Sequence, residues 1–371
     1  MELSPEDALR LNVMLANRPQ AVRIDESRMI LYALSEQGEM EIPLNPTVKD
    51  ELYLKWVREL LSTKVLGTPA GYPLHLRRWT RMGHLSLENV EELLLLGEPE
   101  AVVAVVHSQD LTDELARRAW WAMEDAENAR QLLRQPAVVA GTMGPRLAAW
   151  LVEFLPFETE AETIMETLAL VLQPGLLEPE VKEELWKRAR RKNAYYVGFL
   201  ATVPDELPDQ APPHPRWESC RESLQALAEE GNALAGLLQR VYSPQGQLWL
   251  ATLARVLEKP SNQDVVNRAL EVAAGYFAAA RPEGPADATF EELEAEAASW
   301  LQINPQVLAV LQACPDSEGD LAALRILSGS GYGMVRPIFR KTDAIGTLMR
   351  RKLEPVMKPY LGLVARLRGQ G

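Results

Sequence analysis

A chain of 371 residues and 41.4 kDa with 47% apolar residues has enough apolar mass for a substantial core, either as two domains or as one elongated helix array. Its formal net charge of −13 and pI near 5.0 argue against a general nucleic-acid binder, which is normally basic over the contacting domain. Its two cysteines, Cys220 and Cys314, lie far apart with no CxxC pair, which speaks against a disulfide scaffold or a zinc ribbon and leads us to expect both reduced.

The first residues, MELSPEDALRLNVMLANRPQ, carry acids where a secretory signal needs positive charge. No run approaches the roughly 18 apolar residues of a membrane span. A cytoplasmic protein without a membrane span is therefore expected.

SPEDALRLNVMLAN (4–17) starts with Ser-Pro and acids, a favourable helix start, and puts Leu9, Val13 and Ala16 on one face. Residues 21–44 change character: β-branched and aromatic residues, the alternation Glu39-Met40-Glu41-Ile42 and a Glu-Gln-Gly turn at 36–38 predict one small antiparallel sheet or hairpin. After Asn45-Pro46 the pattern predicts helices at 46–65, 73–82, 86–96, 99–107, 112–123, 126–135, 144–155, 160–172 and 178–202, kept short by proline and glycine breaks. PDELPDQAPPHPRW (204–217) has five prolines and no helical period, and reads as the main linker. Helices resume at about 217–229, 231–241, 244–257, 261–280, 289–301, 304–313 and 317–328, followed by a basic tail broken by Pro337, Pro355 and Pro359. The fold expected is mainly all-α: an irregular α-solenoid or HEAT-like helix array with a small N-terminal sheet, in three regions at 1–84, 85–207 and 208–371.

The tail is electrostatically distinct. Residues 325–371 hold ten Lys or Arg against two acids, Asp343 and Glu354, so this stretch carries +8 and the rest of the chain −21. At its start, LSGSGYGMVRPIFRK (327–341) spaces Gly329, Gly331 and Gly333 in a GxGxG rhythm. A dinucleotide fingerprint needs GxGxxG between a strand and a helix, whereas DLAALRILS before these glycines is helical, and no Walker Gly-Lys-Ser/Thr occurs. Two readings remain: a helix C-cap and hinge, or an anion nest whose phosphate or sulfate would be neutralised by Arg325, Arg336, Arg340 and Lys341.

Chemistry has few other candidates. None of the four histidines, His75, His84, His107 and His214, stands in an HExxH or ExxH pattern, so neither a metal nor any other cofactor is expected. His107 closes an apolar run and reads as a helix-end histidine. Glu291, Glu292, Glu294 and Glu296 alternate with apolar residues as on a solvated helix face. No GxSxG elbow is present, which leaves the thiols; Cys314 is the better placed, just before a helix start with Asp316 or Ser317 as cap, against the plainer reading of a buried inert cysteine. RRWTRMGH (77–84) and WKRARRKNAYY (186–196) mix basic and aromatic residues as RNA-gripping segments do, although acids at the start of the second helix favour reading it as an ordinary dipole-compensated helix.

The stretch RRWTRMGHLSLENVEELLLLGEPEAVVAVVHSQDLTDELARRAWWAM (77–123), continuing through AENARQLLRQPAVVAGTMG to about Leu207, resembles the sulfur-oxidation protein DsrS family. The resemblance implies cytoplasmic service to the oxidation of stored sulfur by the reverse-acting sulfite reductase system, and carries no reaction onto particular residues. Together these readings predict a non-catalytic accessory or scaffold protein that binds protein partners of that system. The alternatives are a sulfur carrier or redox protein using Cys314, and an RNA-binding regulator using the Arg/Trp-rich stretches.

Overall fold

The structure is a computed structural model that describes residues 3–67, 90–109, 111–284, 286–341 and 344–370. The helix expected at 73–82, the start of the one expected at 86–96, and the RRWTRMGH stretch with His75 and His84 lie outside the described residues. The fold is mainly helical with one small antiparallel sheet near the N-terminus, as the hydrophobic periods predict. The chain divides into two compact units, Met1–Pro156 and Phe157–Gly371. Among the described residues no helix is long and apolar enough to cross a membrane.

The first unit opens with α1 (Pro5–Ala16), capped by the Ser4 hydroxyl accepting from the Asp7 N–H. The sheet is β1 (Ala21–Asp25), β2 (Ile30–Ser35) and β3 (Gly38–Pro43), ordered β1-β2-β3. Its register pairs Val22 with Ala33, Ile24 with Leu31, Leu31 with Ile42 and Ala33 with Met40, so the period of two puts all six on one face. That face meets Leu11 and Met14 of α1 and Tyr53, Val57 and Leu61 of α2 (Asp50–Leu66). The opposite face carries Arg23, whose guanidinium lies 4.8 Å from the ring centroids of both Tyr32 and Trp121.

Short helices then follow: α3 (Pro99–Val106), α4 (Asp113–Ala122), α5 (Ala126–Leu132), α6 (Pro136–Val139) and α7 (Met143–Phe154). The helix expected over 126–135 stops at Leu132, and Pro136 starts the next turn at its first position, where it needs no N–H partner. Asp113 takes the backbone N–H groups of Thr142 and Met143 at 2.9 and 3.0 Å, so one carboxylate begins α4 and caps α7.

The second unit contains α8 (Ala161–Val171), α9 (Pro179–Ala189), α10 (Asn193–Thr202), α11 (Trp217–Glu229), α12 (Ala233–Tyr242), α13 (Pro244–Glu258) and α14 (Gln263–Tyr276). It is completed by α15 (Phe290–Ile303), α16 (Pro305–Ala313), α17 (Glu318–Leu327), α18 (Tyr332–Phe339) and α19 (Gly346–Leu367). The single helix expected at 178–202 is two, because the chain turns at 190–192 and folds α10 back so that Trp186 meets the edges of Tyr196 and Phe199. Every residue of α10 from Ala194 to Leu200 is buried. Behind it Trp249 of α13 donates to the Leu200 carbonyl at 3.1 Å and stacks on Tyr276 with centroids 3.8 Å apart.

The proline-rich 204–217 stretch lies inside this second unit, where His214 is buried and its N–H donates to the Tyr242 carbonyl. The tail is likewise no loose segment. Pro337 sits within α18, and Pro355 and Pro359 within α19, where both are exposed.

Gly198 of α10 is where two helices touch backbone to side-chain root: a Cβ there would stand 2.5 Å from Leu168 Cβ, an atom that cannot swing aside. Overpacking of this kind costs about 1–3 kcal/mol, more than the ~1 kcal/mol of helix propensity that alanine gains over glycine. Gly198→Ala is thus expected to lower the urea midpoint, whereas Gly362→Ala, which meets no atom within 4 Å in α19, should raise it slightly.

Candidate functional site

The glycines and cations nominated from the sequence lie at the end of α17 and around α18 in the second unit, but not in the expected arrangement. Arg325 lies on α17 and is 4% exposed. Its guanidinium donates to Glu283, to both oxygens of Glu296 and to the Ala280 carbonyl at 2.7 Å, and sits 5.2 Å from the Trp300 ring centroid. Arg281 joins the network through Glu296 at 2.7 Å. Hydrogen bonds from Arg325 and Arg281 hold the Glu296 carboxyl below the usual range against the raising effect of burial, so this acid belongs to a structural network as well as to a helix face.

Arg336 is committed too, pairing with Asp287 at 2.6 Å. The glycines serve close approach. A Cβ at Gly329 would stand 2.4 Å from Leu293 Cδ2, and one at Gly333 would stand 2.8–2.9 Å from the backbone N and O of Ala288. Gly331 has an extended backbone and no neighbour within 4 Å. Of the four cations nominated for an anion, two are neutralised by carboxylates; Arg340 and Lys341 remain exposed.

The polar centre of this region was not legible beforehand. Asp320, in the first turn of α17, is buried completely. It accepts from the Tyr242 hydroxyl and from Arg216 Nη1 at 2.7 Å, and its other oxygen lies 3.2 Å from Arg366 Nε of α19. Burial and the adjacent carboxylate push the Tyr242 phenol far above its ordinary value, fixing it as a donor. His214 stacks on Tyr242, centroids 4.0 Å apart, and its Nδ1 accepts from the Arg216 backbone N–H, which places the ring proton on Nε2. Asp320, Tyr242 and His214 all face inward, so the cluster chiefly ties α11, α12, α17 and α19 together.

The thiols are the clear correction. Cys220 and Cys314 were expected reduced, yet they form a disulfide, their Cα atoms 5.3 Å apart across a sequence separation of 94. α11 and α16 pack side by side, which brings distant cysteines together. Cys314 is fully buried at the end of α16, and the Ser317 hydroxyl donates to its carbonyl. His107 caps α3 with Nδ1 on the Val103 carbonyl, as a helix-end histidine should. Trp186, Tyr195 and Tyr196 of the second basic-aromatic stretch are core residues and offer no stacking platform. Among the described residues, no three His, Cys, Asp or Glu side chains are grouped to hold a metal ion.

What remains outward is a cationic surface. The inner face of α19 buries Met349, Leu353, Met357, Tyr360, Val364 and Leu367, and Gln247 donates to the Leu367 carbonyl at 2.9 Å. On the outer side Arg351 and Lys358 are exposed with Glu354 between them, Leu348 54% and Ile345 72% exposed at the start of the helix, and Arg340 and Lys341 before it. No family model, curated protein or solved structure matches the chain.

Burial lowers the His214 pKa below its ordinary value near 6.5, with Asp320 partly opposing and Arg216 reinforcing. The unfolded chain therefore takes up this proton more readily than the folded one. The contribution is complete above about pH 6.5 and is lost as pH falls through the depressed native value. Urea midpoints measured between pH 7.5 and 5.5 should fall by less for His214→Gln than for the unaltered protein, the difference staying under about 1.4 kcal/mol per pH unit.

Removing the Asp320 charge should be more damaging. Asp320→Ala leaves Arg216 without its acceptor and Arg366 without its ion-pair partner, at a cost of about 2 kcal/mol once their partial exposure is allowed for, measured as a lowered midpoint at pH 7.5.

Proposed function

We propose that the protein is a non-catalytic accessory or scaffold protein that binds an acidic protein partner through the outer surface of α18 and α19. The observation that carries this reading is the placement of Arg340, Lys341, Arg351 and Lys358 with exposed Ile345 and Leu348, on a chain whose residues before 325 sum to −21. Exposed apolar side chains on a helix that also presents cations suit a surface that steers an acidic partner by charge and retains it by burial. In this reading the partner is a cytoplasmic component of sulfur oxidation, as the resemblance of residues 77–207 to the DsrS family implies.

The alternatives have weaker support. A sulfur carrier would have to free Cys314 from a buried disulfide. An RNA-binding regulator loses Trp186, Tyr195 and Tyr196 to the core.

The test is chemical cross-linking of the full chain in extract from sulfur-grown cells, with both protein and nucleic acid identified, followed by titration of the purified partner. Arg351→Glu combined with Lys358→Glu should weaken binding at least tenfold at 0.15 M salt, and the unaltered protein should bind more weakly as salt rises. Capture of RNA in place of an acidic protein, or indifference to the charge reversal, would reject the reading.

A further inference from the structure

The disulfide joins the first turn of α11 to the end of α16, and α11 buries little of itself. α11 has 13 residues and fully buries only Cys220 and Leu224, one turn apart on a single stripe. Its neighbour α12 buries six residues of ten, and α13 ten of 15. α11 packs on α12 and α16, with Trp217, Leu227 and Ala228 half-buried beside the two buried residues and Gln239 of α12 reaching the Arg221 carbonyl at 3.5 Å. Its ion pair Glu218–Arg221 and its bond Gln225–Glu229 lie along the helix and add nothing to docking. Docking strength is therefore concentrated in the first turn, in the Cys220–Cys314 bond and the Arg216–Asp320 pair one turn before it.

We propose that Cys220–Cys314 is a redox latch on α11. With the bond formed, α11 is clamped to the end of α16 and covers one side of α12. Reduction by a dithiol takes two steps. A thiolate of the reductant attacks one sulfur to give a mixed disulfide and expels the other as a thiolate. The second reductant thiol then displaces the remaining sulfur. Two electrons and two protons pass to the protein, and the reductant leaves as a cyclic disulfide. The Arg216–Asp320 pair then still holds the start of α11, but the apolar stripe beyond it is narrow, so the helix loosens from its far end and the face of α12 bearing Gly236 and Gln239 is uncovered.

Both sulfurs are shielded, Cys220 at 4% exposure and Cys314 at none, so the reductant reaches them only when α11 opens transiently. The rate of reduction is accordingly expected to level off as dithiol concentration rises, and to increase in mild urea that leaves α13 and α14 folded. This latch does not depend on the partner proposed above.

The experiment is hydrogen exchange and limited trypsin digestion of the full chain, oxidised and after reduction with tris(2-carboxyethyl)phosphine, with thiols counted in denaturant. The oxidised protein should contain no free thiol. On reduction the amides of α11 should lose protection at least tenfold more than those of α13 and α14, and trypsin should cut at Arg221. Cys220→Ala combined with Cys314→Ala should reproduce the reduced pattern; if that variant does not fold, the reduced native protein alone decides. Two free thiols after treatment with a mild oxidant, or unchanged exchange in α11 on reduction, would overturn the latch. An equal loss of protection in α11, α13 and α14 would make the bond a staple of the whole unit and overturn it as well.

Discussion

A carboxylate withdrawn from water must find its donors inside the protein, and each unit is organised around one such group. In the first, Asp7 of α1 accepts from the Tyr53 hydroxyl at 2.7 Å and from Asn45 at 3.1 Å, which fixes α1 and α2 in rotation above the sheet. In the second, Asp320 accepts from Tyr242 and Arg216, with Arg366 as an ion-pair partner. A tyrosine hydroxyl is the donor in both, and in both its ionisation is pushed out of reach by burial and the neighbouring carboxylate. Apolar stripes on short helices tolerate sliding and rotation; a buried acid with directional donors does not, so these two residues select one packing among many that would bury similar area.

The second unit uses its basic residues in two ways. Arg216, Arg281, Arg325, Arg336 and Arg366 are bound to carboxylates and act as connectors between helices. Arg340, Lys341, Arg351 and Lys358 face outward. The +8 of residues 325–371 is therefore a sum over both kinds, and the outward-facing charge is smaller, carried by α19 and by Arg340 and Lys341 just after α18.

Local physics was readable and long-range pairing was not. The Ser4 cap, the 21–44 sheet with its turn before Gly38, and the helix-end role of His107 all follow from neighbours within a few residues, and all are present. The turn at 190–192 left no glycine or proline to mark it, because it is dictated by Trp186 packing on α10. Pro355 and Pro359 suggested breaks, yet an exposed helix edge tolerates a missing N–H. Cys220 and Cys314 are separated by 94 residues, and only the pairing of α11 with α16 joins them. The same holds for Asp320, which reads as an ordinary acid in a first helical turn until Tyr242, Arg216 and Arg366 are seen to surround it.

The prolines of α19 also bear on how its cationic surface comes to exist. Each proline costs an isolated helix about 3 kcal/mol, so two of them in 22 residues leave the segment without helical order of its own. Its helical form is induced by Met349, Leu353, Met357 and Tyr360 finding their places on α13 and α17. The spacing of Arg351 and Lys358 is thus templated by the finished core: an unfolded or misfolded chain carries the same charges but not their geometry, and would be passed over by a partner that recognises the pattern.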